Sequence, residues 1–78
     1  MPRFFFHLYD DIVSLDQEGT ELPDGAAARA HGVRNARAIA CAEVLEGHLG
    51  LKHRIEIVDE AGAVIDTVQF ADVVRVDA

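Results

Sequence analysis

The sequence predicts an α+β fold, a two-layer sandwich in which an antiparallel sheet of three to four strands carries one long helix on one face. An aromatic run at residues 3–9 is typical of a strand, and the alanine-rich stretch at residues 24–47 is typical of a single helix. Two further runs after residue 50 are rich in β-branched residues and favour strands. The elements follow the order β-β-α-β-β, and elements this short favour an antiparallel sheet.

The first strand is predicted over residues 3–9. Because side chains alternate across a strand, one face holds Phe4, Phe6 and Leu8, and the opposite face holds Phe5, His7 and Tyr9. An Asp-Asp pair at residues 10–11 predicts a turn, and residues 12–15 form a short candidate strand. We therefore expect an N-terminal hairpin with two largely apolar faces.

Residues 16–23 are predicted to be a loop, since they combine acids, a glycine and a proline. Asp24 is the expected N-cap of the helix, and Gly47 and Gly50 both suit the left-handed position that ends one. A single stripe at steps of three and four predicts the buried positions Ala26, Ala30, Val33, Ala36, Ala40 and Val44. Ile39 and Leu45 fall off that stripe and are expected to lie partly in water.

Residues 51–58 alternate as a strand, with Ile55 and Ile57 on one face. Residues 59–62 predict a four-residue hairpin loop with glycine at a positive φ. Residues 63–70 are the return strand, with its expected core positions at Val64, Val68 and Phe70. The tail at residues 71–78 extends that strand or adds a helical turn.

Length and charge limit the classes of function. The 78 residues form one domain, residues 1–78, near the lower size at which a single core suffices, and one cysteine excludes a disulfide within the chain. We therefore infer a partner subunit, most simply a homodimer. Fourteen acidic against seven basic residues give a net charge of −7, which disfavours nucleic acid as a partner. No secretory signal and no membrane-length apolar run is present, so we expect a cytoplasmic protein and no membrane contact.

No catalytic, metal or cofactor site is predicted. The histidines and the cysteine do not follow metal-ligand spacing, the glycines never cluster into a phosphate loop, and Ser14 lacks a nucleophile context. Cys41 is interpreted as a buried structural thiol because it lies between alanines of the helix. Asp66 is interpreted as an edge-strand residue that discourages aggregation. We therefore expect a protein that is not an enzyme.

Four segments together resemble a known family. They are the opening M-P-R-F-F-F-H-L, the middle D-Q-E-G-T-E-L-P-D at residues 16–24, the A-R-A at residues 28–30, and the I-E-I-V-D-E-A-G at residues 55–62. The chain is similar over residues 2 to 74 to a family of short, uncharacterised bacterial proteins, domain-of-unknown-function family 6894. The family usually carries larger residues at Gly25 and Gly32, so the resemblance implies a looser helix here. It implies no activity, ligand or catalytic residue.

Three functional hypotheses follow. The leading one is a non-enzymatic, cytoplasmic protein-interaction module that acts as a homodimer through its apolar sheet face, with Phe5, His7 and Tyr9 as the contact, or through an open edge strand. The second is a small-ligand binding protein or minor enzyme with a pocket between the helix and the sheet edge, near His7, Tyr9 and Arg37. The third is an acidic, antitoxin-like or regulatory partner of an unidentified basic protein.

Overall fold

The predicted α+β fold is confirmed by a computed structural model, which describes all of residues 1–78. An antiparallel five-stranded sheet carries one long helix. The elements are β1 (Arg3–Tyr9), β2 (Val13–Ser14), β3 (Thr20–Glu21), α1 (Gly25–Leu45), β4 (Arg54–Val58), β5 (Val64–Gln69) and α2 (Phe70–Val73).

The main path of the sheet is β2-β1-β4-β5, so the first strand lies inside the sheet. β1 pairs with β4 from Phe5 opposite Val58 to Tyr9 opposite Arg54. β2 pairs with the end of β1, and the predicted second strand is only two residues long. The predicted loop at residues 16–23 contains one unpredicted strand, β3, which pairs with the start of β1.

The alternation predicted for β1 is confirmed. Phe4 is buried in the core, and Phe6 and Leu8 pack against it from the helix side. The opposite side of the sheet, here called the helix-free face, carries the other three side chains of β1 and their neighbours on paired strands. Its members are Phe5, His7, Tyr9, Val13, Arg54, Glu56, Val58, Val64, Thr67 and Gln69.

The C-terminal hairpin follows the prediction in part. Ile55, Ile57, Val68 and Phe70 are the largest fully buried side chains, and Gly62 has the expected positive φ of 86°. Val64 was predicted to be a core residue, which is wrong, because the register shifts between Ile57 and Val58 and leaves Val64 on the helix-free face. Phe70 starts the short helix α2 and does not end the strand.

Helix α1 begins and ends close to the predicted residues. The Asp24 side chain accepts a hydrogen bond from the Ala27 N–H at 2.8 Å, as an N-cap does. Gly47 follows the helix with a φ of 94°, which confirms its left-handed position. The same prediction for Gly50 is wrong, since that residue has no positive φ.

The buried stripe of α1 differs from the predicted one. Its members are Ala28, Gly32, Ala36, Ala40 and Glu43. The predicted Ala26, Ala30 and Val44 are exposed, and Val33 and Ile39 are partly buried against the core. An added Cβ at Gly32 would lie 3.1 Å from Ile57 and 3.3 Å from Val68. Gly32 therefore marks a tight approach of helix to sheet, and the looser helix expected from the family pattern is not found there.

Two further side chains on α1, Cys41 and Leu45, point away from the core. Cys41 is exposed, so its interpretation as a buried thiol is wrong. It follows Ala40 by one residue, and a step of 100° turns it away from the sheet. Leu45 is exposed at the end of the helix, as expected. Neither α1 nor α2 has an apolar stretch of the length that a membrane span requires.

Strand β5 lies at the free edge of the sheet, which agrees with the placement of Asp66 on an edge strand. The Asp66 carboxylate accepts hydrogen bonds from the Arg29 guanidinium at 2.9 Å and from the Thr67 N–H at 2.8 Å. A charge held on the edge strand and an irregular register are two features that hinder pairing with another chain. The edge of β5 is therefore a poor dimer contact.

Candidate functional site

One cavity opens between the C-terminal half of α1, the turn after β1 and the segment before β4. Its volume is about 400 Å³. Nine residues line it: Asp10, Asp11, Ile12, Ile39, Ala42, Glu43, Glu46, His48 and His53. Four of them are carboxylates, none is Lys or Arg, and Ile12, Ile39 and Ala42 supply an apolar wall. The cavity therefore suits a cationic or neutral polar group better than an anion.

Glu43 is the buried charged residue of this site, with 7% of its surface exposed. One carboxylate oxygen accepts a hydrogen bond from the Gly50 N–H at 2.9 Å. The other lies 2.7 Å from Nδ1 of His53. Burial alone would raise the pKa of Glu43, but the bond from Gly50 and the pairing with His53 outweigh it and hold the pKa below its usual range.

Gly50 allows this arrangement because its backbone lies directly against the His53 ring. A Cβ at position 50 would collide with three atoms of that imidazole. The ring also meets the edge of Phe70 with its centroid 5.7 Å away. A glycine at position 50 therefore brings the loop amide to Glu43 and seats His53 between the helix and the sheet.

The pairing with Glu43 fixes the chemistry of His53. Because an ionised carboxylate only accepts hydrogen bonds, Nδ1 of His53 carries a proton and donates a hydrogen bond to Glu43. The other ring nitrogen, Nε2, lies 3.9 Å from a carboxylate oxygen of Asp11 in the turn after β1. In the neutral ring, Nε2 is therefore the nitrogen that carries the free lone pair.

The predicted contact residues Phe5, His7 and Tyr9 share the helix-free face, but all three are only partly exposed. The Arg54 guanidinium lies over the Tyr9 ring, 4.3 Å from its centroid. Gly19, with a φ of 72°, lies so close to Phe5 that a Cβ there would be 2.9 Å from the Phe5 ring. Side chains and backbone of the same chain therefore cover part of this face.

Asp16 organises the loop that crosses this face. Its carboxylate accepts hydrogen bonds from the N–H groups of Phe6, Glu18 and Gly19 at 3.0–3.2 Å. Its own N–H donates to Nδ1 of His7 at 3.0 Å. Burial alone would raise the pKa of Asp16, but the three backbone donors outweigh it and lower the pKa.

The loop has a clear role in the sheet. Phe6 lies between the stretches of β1 that pair with β3 and β2, and the Asp16 carboxylate satisfies its N–H there. Arg3 fixes the other end of the loop by donating to the Glu18 carbonyl at 2.8 Å. The aromatic run and the D-x-E-G segment that carry the family resemblance are thus joined by direct hydrogen bonds.

The predicted pocket near His7, Tyr9 and Arg37 is not formed. His7 and Tyr9 lie on the helix-free face, and Arg37 donates a hydrogen bond to the Val73 carbonyl at 3.0 Å. The cavity lies elsewhere, beside the turn at residues 10–12. No group of three His, Cys, Asp or Glu side chains is arranged to hold a metal ion.

Sequence reasoning missed the Glu43–His53 pair. Glu43 follows Ala36 and Ala40 by steps of seven and three, so it falls on the buried stripe once that stripe is phased correctly. A charged residue in such a position requires a partner. His48 and His53, which follow the helix in the sequence, were the candidate partners that could have indicated this pair.

The comparisons with known proteins agree with the resemblance seen in the sequence. Residues 3–71 match the family described as Domain of unknown function (DUF6894). Comparison with curated proteins and with solved structures gives no significant match. Since the matched residues run from the start of β1 into α2, they span nearly the whole fold. The chain therefore belongs to this family of domains of unknown function.

Proposed function

We propose that the protein is a cytoplasmic, non-enzymatic interaction module that acts as a homodimer through its helix-free face. The observation that carries the proposal is that helices cover only one face of the sheet. Helix α1 packs against β4, β5 and α2 on one side, and no helix or strand lies on the other. Small two-layer domains gain stability from a second buried layer. In this proposal a second copy of the chain supplies it.

Apolar side chains at the borders of the helix-free face support this contact. Val13 pairs with Tyr9 at one border and is 57% exposed. Val64 pairs with Val58 at the other border and is 54% exposed. Together with the half-buried Phe5 and Tyr9, they are apolar side chains that a face-to-face dimer removes from water.

The charges on the face are compatible with self-association. Arg54 and Glu56 are paired at 3.4 Å. Opposite charges in equal number make a surface self-complementary about a two-fold axis. The net charge of −7 therefore does not prevent two copies from meeting at this face.

The test is the oligomeric state of Val13→Lys and Val64→Lys by sedimentation velocity. Both residues are more than half exposed, so a lysine there leaves the core intact. We expect a dimer for the parent chain and at least a tenfold weaker dimer for each variant, because a buried unpaired ammonium is costly. Phe5 and Tyr9 are less suitable, since they also contact Gly19 and Arg54 within the chain.

Val44→Lys is the matched control. Val44 is 58% exposed, like the two test residues, but it lies on the outer side of α1. We expect this variant to remain a dimer. A monomeric parent chain would refute the homodimer, and dissociation by Val44→Lys alone would move the contact to the helix.

A second candidate function is small-ligand binding, which the cavity of about 400 Å³ favours. Ligand sites commonly have volumes of about 300–1,000 Å³. The test is a thermal-shift screen of metabolites against the parent chain and against Ala42→Phe, which fills the cavity. We expect a binder to raise the Tm of the parent chain alone. No shift with any metabolite, or an equal shift in Ala42→Phe, would reject this function for the cavity.

A further inference from the structure

The turn after β1 and the histidine before β4 face each other across the mouth of the cavity. Asp11 is 97% exposed, and its carboxylate lies 3.9 Å from Nε2 of His53. Two hydrogen bonds shape the turn, from the Asp10 N–H to the Ile12 carbonyl at 3.2 Å and from the Ile12 N–H to the Asp10 carboxylate at 3.0 Å. The turn forms one wall of the cavity.

We propose that protonation of His53 at Nε2 draws the turn at residues 10–12 against the end of α1 and narrows the cavity mouth. Nδ1 of His53 already carries the proton of its bond to Glu43, so a second ring proton can bind only at Nε2. In the neutral ring, Nε2 presents a lone pair towards the Asp11 carboxylate and offers no attraction. In the charged ring, the same atom presents an N–H with a positive charge.

The four carboxylates that line the cavity all attract a positive charge on His53, and a protonated His48 opposes it. Glu43 and Glu46 come from α1, Asp10 and Asp11 come from the turn, and Phe70 of α2 adds no charge. His48 is the other imidazole at the cavity and lies 3.9 Å from Glu46. Within the turn, the Asp11 carboxylate is the group that lies 3.9 Å from Nε2 of His53.

None of the residues that line the cavity belongs to the helix-free face, so the proposal uses other side chains than the homodimer does. It predicts that the order of the turn follows the charge of His53. Imidazoles change charge between about pH 5 and pH 8. Over that range Glu43 stays ionised, since its pKa is lowered from 4.5.

The experiment is amide hydrogen exchange of the full chain by NMR at several pH values, with the imidazole signals of His53 followed in parallel. The readout is the protection factor of the Ile12 N–H, which corrects for the intrinsic effect of pH on exchange. We expect protection to rise about two- to fivefold as His53 gains its proton, the range for an ion pair with one exposed partner.

Two variants decide the outcome. Asp11→Asn removes the charge of the turn at an exposed position, and we expect the protection of Ile12 to become independent of pH. Glu46→Gln removes another carboxylate of the cavity and should leave the response intact. The proposal is overturned if Ile12 protection in the parent chain does not follow the titration of His53, or if Asp11→Asn keeps the full response.

Discussion

His7 and His53 each contact an acidic residue through Nδ1, but the nitrogen has opposite roles in the two contacts. At His53, Nδ1 donates a hydrogen bond to the side chain of Glu43. At His7, Nδ1 accepts a hydrogen bond from the backbone N–H of Asp16. A proton on Nδ1 therefore maintains the first contact and breaks the second. Whether acid strengthens or weakens a histidine contact is decided by which atom of the acidic residue it meets.

The two pairs also differ in burial. Glu43 lies in the core stripe of α1, between Ala40 and the segment before β4. Asp16 lies in a surface loop where water can reach part of its surroundings. A lost partner is more costly where water cannot replace it. Substitutions at Glu43 and Asp16 test this difference.

Glu43→Ala should have the largest effect. The substitution leaves the Gly50 N–H and the His53 ring without their acceptor in a buried site, and we expect a loss of about 2–4 kcal/mol in the free energy of unfolding. Glu43→Gln should lose only about 1 kcal/mol, because the neutral ring can shift its proton to Nε2 and accept from the amide.

Chemical denaturation of both variants measures this prediction. Glu46→Gln is the control, since that side chain is exposed one turn away, and it should change stability by less than about 0.5 kcal/mol. Equal losses for Glu43→Ala and Glu43→Gln would show that the charge of Glu43 matters and its hydrogen bonds do not.

Asp16→Asn should have a smaller effect. The asparagine keeps one oxygen for three backbone donors, and its amide group repels one of them. We expect a loss of about 1–2 kcal/mol, because the loop is partly open to water. Glu18→Gln in the same loop is the matched control, and a loss larger than that of Glu43→Ala would contradict the difference in burial.

Acid should weaken the fold through both carboxyl groups. The folded pKa values of Asp16 and Glu43 lie below the ordinary 3.8 and 4.5, so the folded chain binds fewer protons than the unfolded chain in this range. Their contribution is complete above pH 4.5 and is lost as the pH falls through the lower folded values. Urea unfolding as a function of pH should show this loss, and Glu43→Gln should show less of it than the parent chain.

The smallest effect is spectroscopic. In its neutral form His7 should carry its proton on Nε2, and neutral His53 should carry it on Nδ1. Nitrogen chemical shifts of the two imidazoles distinguish these tautomers without any change in stability. The same tautomer at both residues would remove the contrast between the two pairs.

Most of the fold could be predicted because local signals agreed with it. The alternating side chains of β1 and β4 indicated which face of each strand is buried. Asp24 at the N-cap and Gly62 at a positive φ each meet a backbone requirement that few residue types satisfy. The stripe of α1 could not be phased, because alanines occur on several sides of the helix and carry little directional information.

The cavity was beyond sequence reasoning for a related reason. It is made by residues from three separate segments, and its central pair joins Glu43 to His53 across a turn that the packing of Gly50 determines. The helix-free face was easier, since it follows from a period of two. What the sequence did not show was that Arg54 and the loop at Gly19 cover part of that face.

The central position of β1 in the sheet has a consequence for synthesis of the protein. The strand is synthesised before its main partner, β4, which begins only at Arg54. At about 5–20 residues per second the three consecutive phenylalanines wait several seconds for that partner. The nascent chain therefore carries this aromatic strand without its main partner until β4 has been made, and a chaperone that binds aromatic runs has that interval in which to act.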